Sequence, residues 1–203
     1  MIFDRVIENI TNGMSGKNVG LPNGLDRINR YINNLQKGTY YLIGGEPGTG
    51  KSAICDHMFV YSPFDHLLRK QNRNIKIIYF SLEMAKEIKL TKAAARRLYL
   101  DKGTLTDINY LLSRGNNKVS TEVKKLIEEQ RYYFEKLEEV LTIKDGSYTP
   151  QDIKAELLRY SNSNGKWIEK PNGLDYQPYR DEYTIIIIDH IGLIKPAVNK
   201  IAA

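Results

Sequence analysis

Four short apolar runs, separated by stretches in which apolar positions recur every three or four residues, set the plan of this chain. The runs are TYYLIGG from Thr39, IKIIYFSLE from Ile75 to Glu83, VLTIK at 140–144 and TIIIID ending at Asp189. Each is brief and rich in β-branched or aromatic residues, which predicts strands rather than buried helices. Between them the helical period returns. Leu25, Ile28, Ile32 and Leu35 make one apolar face, and Ile54, Cys55, Met58 and Phe59 mark another helix. Further helical patterns cover 85–100, 104–113 and 120–138, where Val123, Ile127, Phe134 and Leu137 keep the period. Thr149 is placed to cap a helix with Pro150 at its first position and Ile153, Leu157 and Leu158 facing inward. Strands that alternate with helices and are apolar throughout predict an α/β domain, with a mostly parallel sheet covered by helices on both faces.

Two segments stand apart from this plan. Residues 1–19 carry Phe3, Ile7 and Ile10 at helical spacing, followed by a Gly/Ser/Asn tether. So short a segment cannot bury its stripe alone and is expected to pack on the body or on a neighbouring subunit, as a linker ahead of a domain at 20–203. The polar stretch 161–182 holds two Asn-Gly pairs and two prolines. Either pair can turn a small hairpin, and a surface insertion fits as well.

Composition narrows the function. At 203 residues the chain suffices for one well-cored domain. No apolar run is long enough to cross a bilayer, and MIFDRVIENI lacks the basic start and long apolar core of a secretory signal, which predicts a cytoplasmic protein with no membrane partner, in the host cytoplasm if a virus encodes it. A single cysteine, Cys55, and three scattered histidines leave no disulfide framework and no zinc cluster. The net charge of +6 permits a polyanionic partner without demanding one.

The chemistry lies in GEPGTGKS. Gly45, Glu46, Pro47, Gly48, Thr49, Gly50, Lys51 and Ser52 fit G-x-x-x-x-G-K-[ST], the P-loop pattern, between a strand signal and a helix signal. Glycines let backbone N–H groups turn inward around a phosphate without Cβ clashes. The helix that starts near Lys51, with Ala53 in its first turn, aims its free N–H groups at the same phosphates. Lys51 brings a mobile positive charge to the β- and γ-phosphates, and the Ser52 hydroxyl is a ligand for Mg²⁺, so ATP with Mg²⁺ is the expected cofactor pair. Such a loop needs a second metal-supporting acid at the end of another buried strand, the position of Asp189; the alternative is a solvated strand-end aspartate. His190 follows it where many such ATPases place a glutamate. Glu83, at the end of another apolar run, can orient the attacking water or can be a helix-start glutamate favoured by the dipole, and spacing alone leaves both open.

At these residues the chain resembles the ATPase domain of the DnaB-type replicative helicases, within the RecA-like P-loop superfamily. GLPNGLDRINRYINNLQKGTYYLIGGEPGTGKS resembles that family's lead into the P-loop, IIYFSLEM its F-S-L-E-M signature, AAARRLYLDKG the helix that follows and TIIIIDHIGLI its V-I-D-Y-L-Q-L-M. The resemblance runs from about Gly20 to Ile194. It implies a hexameric ring that hydrolyses ATP at subunit interfaces and moves along single-stranded DNA, with a primase or loader as further partners. Carried over, Lys51 and Ser52 bind phosphate and Mg²⁺, Glu83 activates water and Asp189 supports the metal. Lys195 and Lys200 match the start of a DNA-contacting loop, and a basic tail is the alternative. The resemblance places the γ-phosphate sensor and the arginine finger beyond Ala203, so the sheet is expected to be incomplete at the C-terminus. A finger within the chain would fall first on Arg96, Arg97 or Arg180. Two rival readings are a RecA/RadA/KaiC-like ATPase in recombination or regulation, and a nucleotide-binding assembly subunit without turnover.

Overall fold

The computed structural model describes residues 2–70, 74–170 and 173–196. The chain divides into two compact units, Met1–Ile75 and Lys76–Ala203.

The first unit is helical. α1 (Ile2–Met14) is amphipathic, yet Phe3, Ile7, Ile10 and Met14 are all exposed, so the expected packing of this stripe on the body is not seen. Its C-terminus is satisfied locally, by Lys17 N donating to Asn12 O at 2.9 Å and Asn18 Nδ2 to Asn9 O at 2.9 Å. Before and after α2 (Asp26–Ile32), Leu21 and Leu35 exchange two backbone bonds of 2.9 and 2.7 Å, and both side chains are buried. The clasp encloses Asn23, whose Nδ2 donates to Asn29 Oδ1 at 2.7 Å and whose Oδ1 accepts from Leu25 N at 2.9 Å. A buried amide is tolerated when its polar atoms are paired in this way.

α3 (Lys51–Asp56) runs through a π-helical turn, His57–Tyr61, into α4 (Ser62–Lys70). Met58, Phe59, Val60, Tyr61 and Phe64 form the core of this unit. The lead segment presses on the rod: Ser62 Oγ donates to Pro22 O at 2.9 Å, and His57 Nε2 lies 3.1 Å from Gly24 O. Gly24 has a φ of +73°, and a Cβ there would stand 2.6 Å from His57 Nε2, so both conformation and space require glycine. The strand expected at TYYLIGG is not formed. Residues 39–46 have no regular secondary structure, and Tyr40 and Leu42 are exposed. β-Propensity expresses fit to a paired, pleated surface, and the described residues of this unit offer the segment no paired neighbour.

The second unit is an α/β domain: β1 (Asn74–Ser81), α5 (Lys86–Lys102), α6 (Ile108–Leu111), α7 (Thr121–Glu128), α8 (Arg131–Val140), β2 (Leu141–Asp145), α9 (Pro150–Asn164), β3 (Gly165–Lys170), β4 (Gly173–Pro178) and β5 (Glu182–Asp189). Its parallel sheet has the order β2-β1-β5, with β1 and β2 in register from Ile77↔Leu141 to Ser81↔Asp145. β1 is the buried middle strand. Ile78 and Phe80 pack with Ile153, Leu157 and Tyr148 on one face, and Tyr79 turns to α5 on the other. β5 departs from the expected continuous burial: Ile187 and Asp189 are buried while Ile186 and Ile188 are exposed, the alternation of a strand at a sheet edge.

Helix limits also differ from the pattern. The helix expected at 104–113 shrinks to α6, capped by Asp107, which accepts from Asn109 N and Tyr110 N. The one expected at 120–138 divides at Gln130 into α7 and α8. Thr149 and Asp152 form a reciprocal capping box with Pro150 at the first turn of α9, as the sequence predicts. Leu158 is exposed, because the inward stripe steps four residues from Ile153 to Leu157 and leaves the next position turned out. The 161–182 stretch is largely the end of α9 and an antiparallel hairpin, β3–β4, in which Trp167 faces Tyr176 at 5.1 Å between ring centroids. Gly165, from the first Asn-Gly pair, starts β3. Gly173, from the second, closes the hairpin opposite Lys170 with a φ of +122°.

Candidate functional site

The glycine loop belongs to the first unit. Gly48 and Gly50 hold φ of +80° and +89°, and a Cβ on either would meet nothing, so here glycine serves conformation rather than space. Gly50 is the N-cap of α3, and its carbonyl accepts from Ile54 N at 3.0 Å. Thr49 Oγ1 donates to Glu46 O at 2.7 Å and closes the turn over Pro47 and Gly48. Lys51 folds back over the loop, its ammonium donating to Gly45 O at 2.8 Å and Glu46 O at 2.7 Å. Ser52 is half-buried and Ala53 exposed on the first turn of α3, where N–H groups lack intrahelical acceptors. The loop thus gathers a lysine charge and a hydroxyl at the start of α3, where the first N–H groups of a helix lack intrahelical acceptors.

The second unit gathers acids. Leu82 N donates to Asp189 O at 2.7 Å, which ties the ends of β1 and β5 and brings Glu83 and Asp189 to the C-terminal edge of the sheet, where open parallel sheets bind ligands. Ser81 Oγ donates to Met84 O at 2.5 Å, closing a turn that leaves Glu83 exposed. Asp145 ends β2 at the same edge, and its carboxylate accepts from Lys86 N at 3.0 Å at the start of α5. Asp189 is buried rather than solvated. Its Oδ2 accepts from Tyr79 OH at 2.9 Å and from Lys89 Nζ at 3.0 Å, and the same ammonium donates to Tyr79 OH while lying 4.1 Å from the Tyr79 ring centroid. The next peptide bond, Asp189–His190, is cis.

The pattern of apolar and polar positions does not single out Lys89 or Tyr79. A signal existed: Lys89 stands four residues before Ala93, on the buried stripe of α5. Of the other candidates, Lys195 is exposed, with its backbone N–H donating to Tyr148 O at 2.9 Å, and Lys200 lies outside the described residues. Arg97 grips Asp101 through two bonds of 2.6 and 2.7 Å and lies over the Tyr133 ring. Arg180 likewise grips Glu182, at 3.1 and 2.7 Å. Arg96 lies on α5, half-buried.

A parallel sheet flanked by helices, with acids at its C-terminal edge, makes the second unit an α/β fold of the RecA-like class, and in the first unit a glycine loop opens a helix. The family model of the DnaB-like helicase C-terminal domain matches residues 20–170, and the chain belongs to that family. Comparison with the curated proteins finds no match. The matched span includes the glycine loop and Glu83, while Asp189 lies beyond it. The chain is therefore read as the ATPase domain of a DnaB-like helicase, a family whose members use ATP and Mg²⁺. Ser52 in the first unit and Asp189 in the second carry a hydroxyl and a carboxylate, oxygen donors of the kind that Mg²⁺ takes. No group of three metal-ligating side chains occurs among the described residues, and Mg²⁺ is commonly held by one or two protein oxygens with water and phosphate completing the shell.

Proposed function

We propose that this chain binds Mg·ATP through Gly45–Ala53 and hydrolyses it to drive movement along single-stranded DNA within a homo-oligomeric, hexameric ring. The observation that carries this is the loop itself: Lys51 held over Gly45 and Glu46 by two carbonyls, at the start of a continuous helix. An ammonium held by backbone oxygens in this way exchanges them readily for phosphate oxygens, which carry more charge. Gly48 and Gly50 let the loop amides face the same phosphates, and the Ser52 hydroxyl is a metal ligand. When bound, Mg²⁺ would offset the charge of the phosphates. Asp189 supports that ion, and Glu83 accepts hydrogen bonds from the attacking water and turns it toward the γ-phosphorus. Lys195 and Lys200 are the DNA-contacting lysines, and a primase or loader would complete the assembly. The family match supports the helicase class; these roles are ours.

Strand displacement on a forked duplex, with and without Mg·ATP, tests the reading. Displacement by the wild-type chain and none by Lys51→Ala is expected. ATP turnover without displacement would move the assignment to a RecA-like ATPase of another role, and nucleotide binding without turnover to an assembly subunit.

A further inference from the structure

We propose that Lys89 is the positioning residue of the metal-supporting carboxylate. This rests on the assignment of Asp189 to metal support. Lys89 reaches inward from α5 and is 5% exposed, Asp189 is 7% exposed, and Tyr79 between them is 1% exposed. The three polar groups form a closed triangle: Lys89 Nζ donates to Tyr79 OH and to Asp189 Oδ2, and Tyr79 OH donates to the same Oδ2. The ammonium also lies over the Tyr79 ring, a further attraction for a cation.

Stability alone is a poor reason for this arrangement. Burying two charges is costly before their attraction returns it, and apolar replacement of a buried pair is often neutral or stabilising. The position is one that a leucine would fill, on the same stripe as Ala93 and Leu98. What the triangle supplies is orientation. Two donors converging on one oxygen, from β1 and from α5, fix the plane of a carboxylate at a strand end, and the second oxygen takes its direction from that plane. Partners of this kind, one bond removed from the metal, are worth about 10–100-fold in metal affinity when removed.

The test is a Mg²⁺ titration of ATP binding by the full chain, read calorimetrically beside ATP affinity in EDTA. Lys89→Met is expected to raise the half-saturating Mg²⁺ concentration about tenfold and to leave EDTA affinity within twofold, because the loop that contacts ATP is elsewhere in the chain. Lys89→Arg, which keeps charge and donors, is expected to return the Mg²⁺ requirement to within threefold of wild type. In an Asp189→Asn background, Lys89→Met should add no further shift. A Mg²⁺ requirement unchanged in folded Lys89→Met, or an equal fall in EDTA and Mg²⁺ binding, overturns the proposal in favour of a packing role. Should Lys89→Met not fold, Lys89→Gln, which keeps a donor without charge, carries the same comparison. A wild-type chain with no Mg²⁺-linked ATP binding, or an Asp189→Asn chain titrating like wild type, would instead sink the Asp189 assignment on which this one stands.

Discussion

The two units handle their central charge in opposite ways. In the first, the Lys51 ammonium is held on an accessible loop by two backbone carbonyls, on a conformation that Gly48 and Gly50 make possible. In the second, the Asp189 carboxylate is buried and held by side chains from β1 and α5. A charge that must trade partners with a ligand is best held by weak, exposed acceptors. A charge that must keep its direction is best held by buried donors that cannot leave. Local backbone chemistry builds the one, and tertiary packing builds the other.

The largest expected effects separate these two holdings. Lys51→Ala should remove detectable Mg·ATP binding in calorimetry with the helices of both units intact by circular dichroism, because the hydrogen bonds of its ammonium run to loop carbonyls. Unchanged affinity would break the assignment of the loop. Next, Glu83→Gln should bind Mg·ATP like wild type and lose turnover by roughly 10²–10⁴, the worth of a positioned base. Asp189→Asn should instead raise the Mg²⁺ requirement for binding. If Glu83→Gln lost affinity and turnover together, Glu83 would revert to a helix-start glutamate.

A smaller effect asks whether the units respond separately. Gly24→Ala places a Cβ 2.6 Å from His57 Nε2 and 2.9 Å from Ser62 at a positive φ. Overpacking of this kind costs roughly 1–3 kcal/mol. Hydrogen exchange should quicken across residues 20–70 and stay unchanged across β1, β2 and α9; an equal change in both units would mean that they unfold together.

The smallest lies at the start of α9. Hydrogen bonds from the Thr149 backbone N–H and then its hydroxyl hold the Asp152 carboxyl below the usual carboxylate range. A carboxyl depressed on folding adds stability above its unfolded pKa, about 3.9, and loses it as pH falls through the lower folded value. Thr149→Val should therefore lower the thermal midpoint by about 2–4 °C at neutral pH. The gap from wild type should narrow in acid as pH falls through the folded value of Asp152, leaving the part that comes from Asp152 N donating to the Thr149 hydroxyl. A gap of unchanged size there would mean that the cap works without the ionised partner.

Most of the second unit was legible because its signals are local. The β1, β2 and β5 runs, the Thr149–Asp152 box and the F-S-L-E-M turn each follow from residues a few positions apart. The glycine loop is a local signal of the same kind, and the positive φ of Gly48 and Gly50 agrees with the need for glycine there. The strand at TYYLIGG was misread because composition reports willingness to pair, whereas pairing needs a neighbour. The Lys89–Tyr79–Asp189 triangle was missed because its members are separated by up to 110 positions and meet only once α5 covers β1.

The π-helical turn at His57–Tyr61 acts as a phase shifter. It sets the angle about the rod axis between Lys51, which must face the loop, and Ser62, which must meet Pro22 O. Wound as an ordinary α-helix at about 100° per residue, the same residues would turn Ser62 away from its acceptor. The two ends of one rod would then answer to different dials, and loop and clasp could not both be seated at once.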